Sequence, residues 1–228
     1  VDQSDKPHII ITGDGSPSLQ IDSIDETYHS IHGALSESTH VFIQAGLEYV
    51  LTNKSQLHIL EVGLGTALNA ALTADYSISH PIEIEYTGLE NHPLSEERIL
   101  ELKENWNGHQ TISEWQQKIL LASWNTSIGL SDRFILNKYS ISIQDISLLP
   151  NSIDLVYYDA FAPRVQPEMW TLEIFQKLFL ALKPNGILVT YCAKGQVRRD
   201  LQSAGFFVER LFGPPPKREM LRGVKTKL

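Results

Sequence analysis

Two acids and a pair of glycines stand where their types and spacing could do chemistry. The run Glu61-Val62-Gly63-Leu64-Gly65-Thr66-Ala67-Leu68-Asn69 sets two glycines at the junction of an apolar strand and a helix. Glycines there let the backbone turn sharply and approach a ligand, and the amides at the helix start favour polar or anionic atoms. Glu90 closes a second apolar run, Thr87-Gly88-Leu89-Glu90, and a carboxylate at that place can accept both hydroxyls of a ribose. Asp159 closes a third, Ile153–Tyr158, and is followed by Ala160-Phe161-Ala162-Pro163. A carboxylate beside an aromatic ring and a proline makes a rigid acceptor. It can take an N–H hydrogen bond from an amine, aim the nitrogen lone pair and receive the proton as a new bond forms. Phe161 or Tyr158 could stack on a planar base.

The turn discriminates among cofactors. A dinucleotide fingerprint wants glycine or alanine three residues past Gly65, where this chain has Leu68, and no lysine follows as in a phosphate-gripping loop. Acidic-x-Gly-x-Gly, with Glu61 at the strand end, is the pattern of S-adenosylmethionine sites, the acid suiting a cationic amino acid moiety. Methyl transfer to an amine would then need a neutral lone pair in line with the sulfonium methyl, at about 3 Å. Glu90 would serve any adenosine ribose and does not separate this cofactor from NAD. Other chemistry is poorly supported. His29 and His32 have metal-ligand spacing, but two ligands do not make a site and a bland surface reading is preferred. Ser30 lacks a strained nucleophile elbow. Cys192 reads as a buried small hydrophobe, and Trp115, Trp124 and Trp170 as packing residues.

The elements that must position these residues follow from periodicity. Of the 228 residues 42% are hydrophobic and 20% charged, enough for one domain with a substantial core. No apolar run approaches the roughly 20 residues that span a bilayer, and the start Val1–Pro7 lacks a signal-peptide core. The single cysteine suits a reducing, cytoplasmic setting. Strands are expected at 8–12, 19–21, 57–62, 82–89, 133–136, 153–158, 186–191, 206–211 and 220–224. Helices are expected at 36–51, 66–76, 95–105, 112–124, 167–182 and 196–204. From 57 onward strands alternate with helices, which specifies parallel pairing in a doubly wound α/β sheet. The short Gly213-Pro214-Pro215-Pro216 link forces the last two strands into an antiparallel hairpin. Residues 1–56 read as N-terminal strands and a helix contributing to the pocket, and 57–228 as a Rossmann-like core. Ligands on such a sheet sit beyond the carboxyl ends of its strands.

Charge is uneven. Residues 1–193 hold 10 Lys/Arg against 24 Asp/Glu, whereas 194–228 hold nine against three. An acidic body with a basic end can meet a phosphate backbone locally while repelling it elsewhere; a solvated face with a frayed basic tail reads equally well.

Asp159–Pro163 is followed by Pro167-Glu168-Met169-Trp170, and further on stand Val197-Arg198-Arg199 and Lys217-Arg218-Glu219-Met220-Leu221. In these blocks the chain resembles the methyltransferase part of the tRNA 5-methylaminomethyl-2-thiouridine biosynthesis enzymes. Glu26–Ser30, Glu37-Ser38, His40–Phe42 and Glu61–Asn69 match as well, so the resemblance covers about residues 8–223. It implies a class I methyltransferase fold using S-adenosyl-L-methionine, and methyl transfer to the aminomethyl group on C5 of the wobble uridine, position 34, of tRNA. Asp159 would orient and deprotonate the amine. Tyr28, Ser30, Glu61, Gly63, Gly65, Thr66, Asn69 and Glu90 would line the cofactor pocket. Ser140 stands where the family often has an aspartate reading the adenine. Phe161 and Pro163 would wall the base, and Arg198, Arg199, Lys217 and Arg218 would meet tRNA phosphates in the anticodon region. Some members carry a fused oxidoreductase, for which 228 residues leave no room, so a stand-alone form fed by a separate oxidoreductase or modification complex is expected. A methyltransferase acting on a small-molecule or protein amine is the alternative. A non-catalytic cofactor- or tRNA-binding module comes next, and a nicotinamide oxidoreductase last. No metal is expected, and oligomeric state is left open.

Overall fold

The computed structural model describes residues 6–52 and 54–226. Residues 1–5 of the opening stretch and Lys227 of the basic segment lie outside the described residues.

Strands β4 (Gln56–Val62), β8 (Ile153–Tyr158) and β9 (Leu182–Thr190) are apolar over long runs. Every residue of β8 is buried, as are Ile59–Val62 and Gly186–Thr190. This is what a strand covered on both faces requires. They pair in an eight-stranded sheet of order β10-β11-β9-β8-β4-β5-β7-β6. In it β4, β5 (Glu83–Leu89), β7 (Phe134–Tyr139), β8 and β9 run parallel. The expected hairpin is present: β10 (Phe207–Phe212) pairs antiparallel with β11 (Glu219–Val224), which pairs antiparallel with β9. At the other edge lies β6 (Thr126–Ser131), antiparallel to β7. Sequence reading missed it because only Leu130 of its six residues is buried, so it shows no alternation.

Helices α2 (Leu68–Ser79), α3 (Glu96–Glu104) and α4 (Gln110–Leu121) share one apolar layer. Helices α5 (Leu172–Ala181) and α6 (Gly195–Ser203) share a second. The expected helix over 167–182 is split: a 3-10 turn, Pro167–Met169, precedes α5, and extended Thr171 caps α5 with its side chain. Before the main sheet come a three-stranded antiparallel sheet, β1 (His8–Ile11), β2 (Pro17–Ile21) and β3 (Glu26–Thr27), then α1 (Ala34–Ser38). The two-residue β3 carries no sequence signal. Helix α1 continues as a π-helical stretch, Thr39–Glu48. A Cβ on Gly46 would come within 3.1 Å of the Val189 side chain and 3.2 Å of the Tyr157 ring, so its absence lets this stretch lie on β8 and β9.

Chain order reverses between neighbours β4 and β8. From β4 the chain builds outward through β5 and β7, and from β8 outward through β9. The crevice beyond their carboxyl ends is the switch point at which such sheets bind ligands.

Candidate active site

A cleft of about 1300 Å³ opens at that switch point. The glycine turn forms one side. Gly63 has φ +89°, and a Cβ there would lie 2.6 Å from the carbonyl oxygen of Asp159. The exits of β4 and β8 therefore touch, and no side chain fits between them. Gly65 has φ +51°, and its Cβ would meet the Tyr28 ring at 3.0 Å. Glu90 fastens the turn: Oε2 accepts from the Gly65 amide at 2.9 Å and Oε1 from the His92 amide at 2.8 Å. Each oxygen keeps a second lone pair for a ligand hydroxyl.

Asp159 lies on the cleft floor, partly exposed. Its Oδ2 accepts from Asn69 Nδ2 at 2.8 Å. Burial pushes the carboxyl up to about 7, against the Asn69 hydrogen bond, which favours ionisation. Asn69 Nδ2 also donates to Glu61 Oε1 at 2.8 Å, and Tyr86 Oη donates to Glu61 Oε2 at 2.8 Å. Glu61 is fully buried, and burial followed by the Asp159 charge holds its carboxyl well above the carboxylate range.

The opposite wall is drawn from distant segments. Tyr28 meets Phe161 edge-on, centroids 5.0 Å apart. Glu37 Oε2 accepts from the Ser30 amide at 2.8 Å, and Glu37 Oε1 pairs with Lys217. The Lys217 ammonium sits 4.2 Å from the Tyr191 ring centroid, and Tyr191 Oη donates to Ala160 O at 2.9 Å. The N-terminal segment, the Pro216–Lys217 link and the β8 exit are thus joined around the cleft. Glu37 and Tyr191 had no chemical signal in the sequence, because each gains its role only from a residue far along the chain.

Of the residues expected at the site, Tyr28, Ser30, Gly63, Gly65, Thr66, Glu90, Asp159, Phe161 and Lys217 line the cleft. Glu61 and Asn69 lie under its floor. Ser140 is exposed and outside: the Glu90 amide extends the ladder to Tyr139 O, and the chain turns Ser140 outward, leaving Ile141, Ser142 and Ile143 on the wall. Pro163 and Arg218 face an adjoining hollow that also holds Lys194 and shares Ala162, Tyr191 and Lys217 with the cleft. Arg198 and Arg199 stand on α6 away from both, Arg199 Nη2 donating to Gln196 Oε1 at 2.7 Å. His29 is a wall residue instead of a surface one. It hydrogen-bonds Ser18 Oγ at 3.0 Å, and burial pushes it down to about 4.

The residues present fit S-adenosyl-L-methionine. Thr66 Oγ1 is buried at the cleft without a hydrogen-bond partner among the described residues, and the cradle at Gly63 and Gly65 excludes side chains. Glu90 adds an acceptor suited to paired hydroxyls. Residues 109–226 match the model of a family described as S-adenosyl-L-methionine-dependent methyltransferase, and the chain belongs to that family. S-adenosyl-L-methionine is its cofactor.

The chain is 30% identical over 201 residues to the tRNA 5-methylaminomethyl-2-thiouridine biosynthesis bifunctional protein MnmC of Cupriavidus necator, a match covering 83% of this chain and 30% of that protein. The protein of the same name from Nitrosospira multiformis is 30% identical over 213 residues, covering 87% and 34%. The chain thus spans about a third of the length of the curated relatives it matches. The crystal structure of MnmC2 from Aquifex aeolicus superposes with a TM-score of 0.80 at 23% identity, over 99% of this chain and 73% of that one. Spermidine synthase from Thermotoga maritima superposes at 0.56 and 15% identity, over 97% and 69%. These likenesses show a shared fold.

Proposed function

We propose that this methyltransferase acts on tRNA, converting 5-aminomethyl-(2-thio)uridine at wobble position 34 to 5-methylaminomethyl-(2-thio)uridine. The observation that carries the reading is Asp159: a partly exposed carboxylate on the floor of the cofactor cleft, with Oδ2 held by Asn69 and proton affinity raised to about 7. A group so poised takes a proton from an amine near neutral pH. The names of the MnmC relatives supply the tRNA and the uridine.

Gly63, Gly65, Thr66 and Glu90 would hold the cofactor, which when bound supplies a methyl group on a sulfonium sulfur. Tyr28 and Phe161, edge to face, offer an apolar wall for a flipped base. Asp159 receives a proton from the ammonium form of the aminomethyl group, freeing the nitrogen lone pair to form the new bond. The hollow beside the cleft supports a polynucleotide substrate. Lys194 and Arg218 are exposed there and make no ion pair among the described residues, so they are available to phosphate. Lys217, by contrast, already answers Glu37. An oxidoreductase or modification complex in the cytoplasm would supply the aminomethyl substrate.

The test is incubation with methyl-labelled S-adenosyl-L-methionine and total tRNA from cells unable to perform the final methylation, followed by nucleoside mass analysis. Labelled methylaminomethyl-uridine, absent with Asp159→Ala, is the expected result. Cofactor binding without labelled tRNA would overturn the tRNA assignment and direct attention to small amines and proteins.

A further inference from the structure

The Asn69 side chain makes two contacts that cofactor binding does not require. Its Nδ2 donates to Glu61 Oε1 and to Asp159 Oδ2, each at 2.8 Å. A side-chain amide has two N–H donors, and here Nδ2 meets two acid oxygens, Glu61 Oε1 and Asp159 Oδ2. The opposite amide orientation would aim Oδ1 at two acids, so the donor assignment follows from the surroundings.

The far end of this link is fixed. Glu61 is fully buried in β4, and its second oxygen accepts from Tyr86 Oη of β5 at 2.8 Å. Asn69 itself is 2% exposed in the first turn of α2 and does not line the cleft. Asp159 does line it, and its Oδ1 accepts no hydrogen bond from the described residues. The line Tyr86–Glu61–Asn69 therefore starts in the core, crosses three elements and ends on one oxygen of the carboxylate at the β8 exit.

We propose that Asn69 is a positioning residue, holding Asp159 Oδ2 so that Oδ1 is the oxygen that receives the amine proton. The proposal rests on Asp159 being the proton acceptor of the reaction described above. In that step an N–H bond of the protonated amine breaks with its electron pair left on nitrogen as the lone pair, and the proton bonds to Oδ1, so that a cation and an anion become a neutral amine and a neutral carboxyl. The charge lost from the carboxylate is the charge that Asn69 had stabilised at Oδ2. Nothing is oxidised or reduced. Glu61, which the glycine motif suggested as a cofactor contact, and Asn69, which the family resemblance suggested, act on this reading through Asp159 instead.

The experiment compares Asn69→Ala, Asn69→Asp and Asp159→Asn in the full chain. Three quantities are read: cofactor affinity by calorimetry, the Asp159 carboxyl titration by carbon-13 NMR in cofactor-free protein, and the pH profile of kcat on undermodified tRNA. Removing a hydrogen bond to the ionised form raises a carboxyl pKa. Asn69→Ala is expected to move the Asp159 midpoint and the acidic limb of kcat upward together by about one unit. It should lower kcat about 10- to 100-fold, a share of a general-base contribution, and leave cofactor affinity within about twofold. Asn69→Asp keeps the side-chain volume and covers the case in which the truncation does not fold; its added negative charge should shift the midpoint in the same direction. Weakened cofactor binding with an unmoved Asp159 midpoint would overturn the proposal in favour of a cofactor ligand. Lost activity with an unmoved midpoint would reduce Asn69 to a packing residue. Full activity in Asp159→Asn would sink the proton-acceptor reading itself, an outcome distinct from failure of the Asn69 proposal alone.

Discussion

At the scale of single residues, Asp159 combines two demands that oppose each other. It must be ionised to accept a proton, yet burial pushes it up to about 7. Activity should therefore climb as pH rises through about 7, because only the ionised carboxylate accepts. Asp159→Ala should cost at least about 100-fold in kcat while cofactor affinity is retained, checked by single-turnover labelling beside calorimetry. Stability carries the opposite sign. A carboxyl whose proton affinity is higher folded than unfolded binds more protons in the native state. Its contribution is full below the unfolded value near 3.8 and is lost as pH rises toward about 7. Asp159→Asn should therefore be more stable than the parent at pH 8, the difference shrinking toward pH 4 in urea titrations. Asp159 was legible because it ends an apolar run in Asp-Ala-Phe-Ala-Pro. Ser140, which the family resemblance puts at the adenine, is exposed outside the cleft, because position in a motif does not say which way a chain turns at a strand end.

At the scale of elements, the site depends on two junctions. One is the contact of the β4 and β8 exits. Gly63→Ala would place a Cβ 2.6 Å from the Asp159 carbonyl at a positive φ. The strain should cost roughly 2–3 kcal/mol and weaken cofactor binding at least tenfold, since turn and acid must both move. Thermal unfolding and calorimetry would show both losses in one protein. The other junction ties the link between β10 and β11 to α1 through Lys217 and Glu37, whose side chains are 35% and 9% exposed. Lys217→Ala leaves a buried carboxylate unpaired. With solvent reaching the lysine side, a loss of about 1–2 kcal/mol is expected in chemical denaturation. Pairing it with Glu37→Gln should restore most of that loss. The parallel strands could be read from their apolar runs, and the terminal hairpin from the brevity of its link. The edge strand β6 could not, since a half-exposed edge needs no apolar face. The π-helical stretch was also invisible, because helical spacing in sequence does not distinguish wider turns from ordinary ones.

At the scale of the whole molecule, an acidic body places two exposed cations without an ion pair among the described residues, Lys194 and Arg218, in the hollow beside the cleft. Lys194→Ala combined with Arg218→Ala should weaken tRNA binding and lower its salt slope by about 1.5–2, leaving cofactor affinity unchanged. Filter binding at several salt concentrations would measure it; an unchanged slope would remove the hollow from the tRNA path. The sequence by itself determined the class of the sheet, the place of the site beyond its strand ends, and the cofactor chemistry of the glycine turn. Those depend on local period, turn composition and residue type. Tertiary structure alone decided which acids face the cleft and which lie under it, since Glu61 and Asp159 both end central strands. It also decided that Lys217 belongs to Glu37, 180 positions away, and that Asn69 joins two carboxylates. Such pairings arise from chain crossings and from the burial of charge, which no spacing along the sequence records.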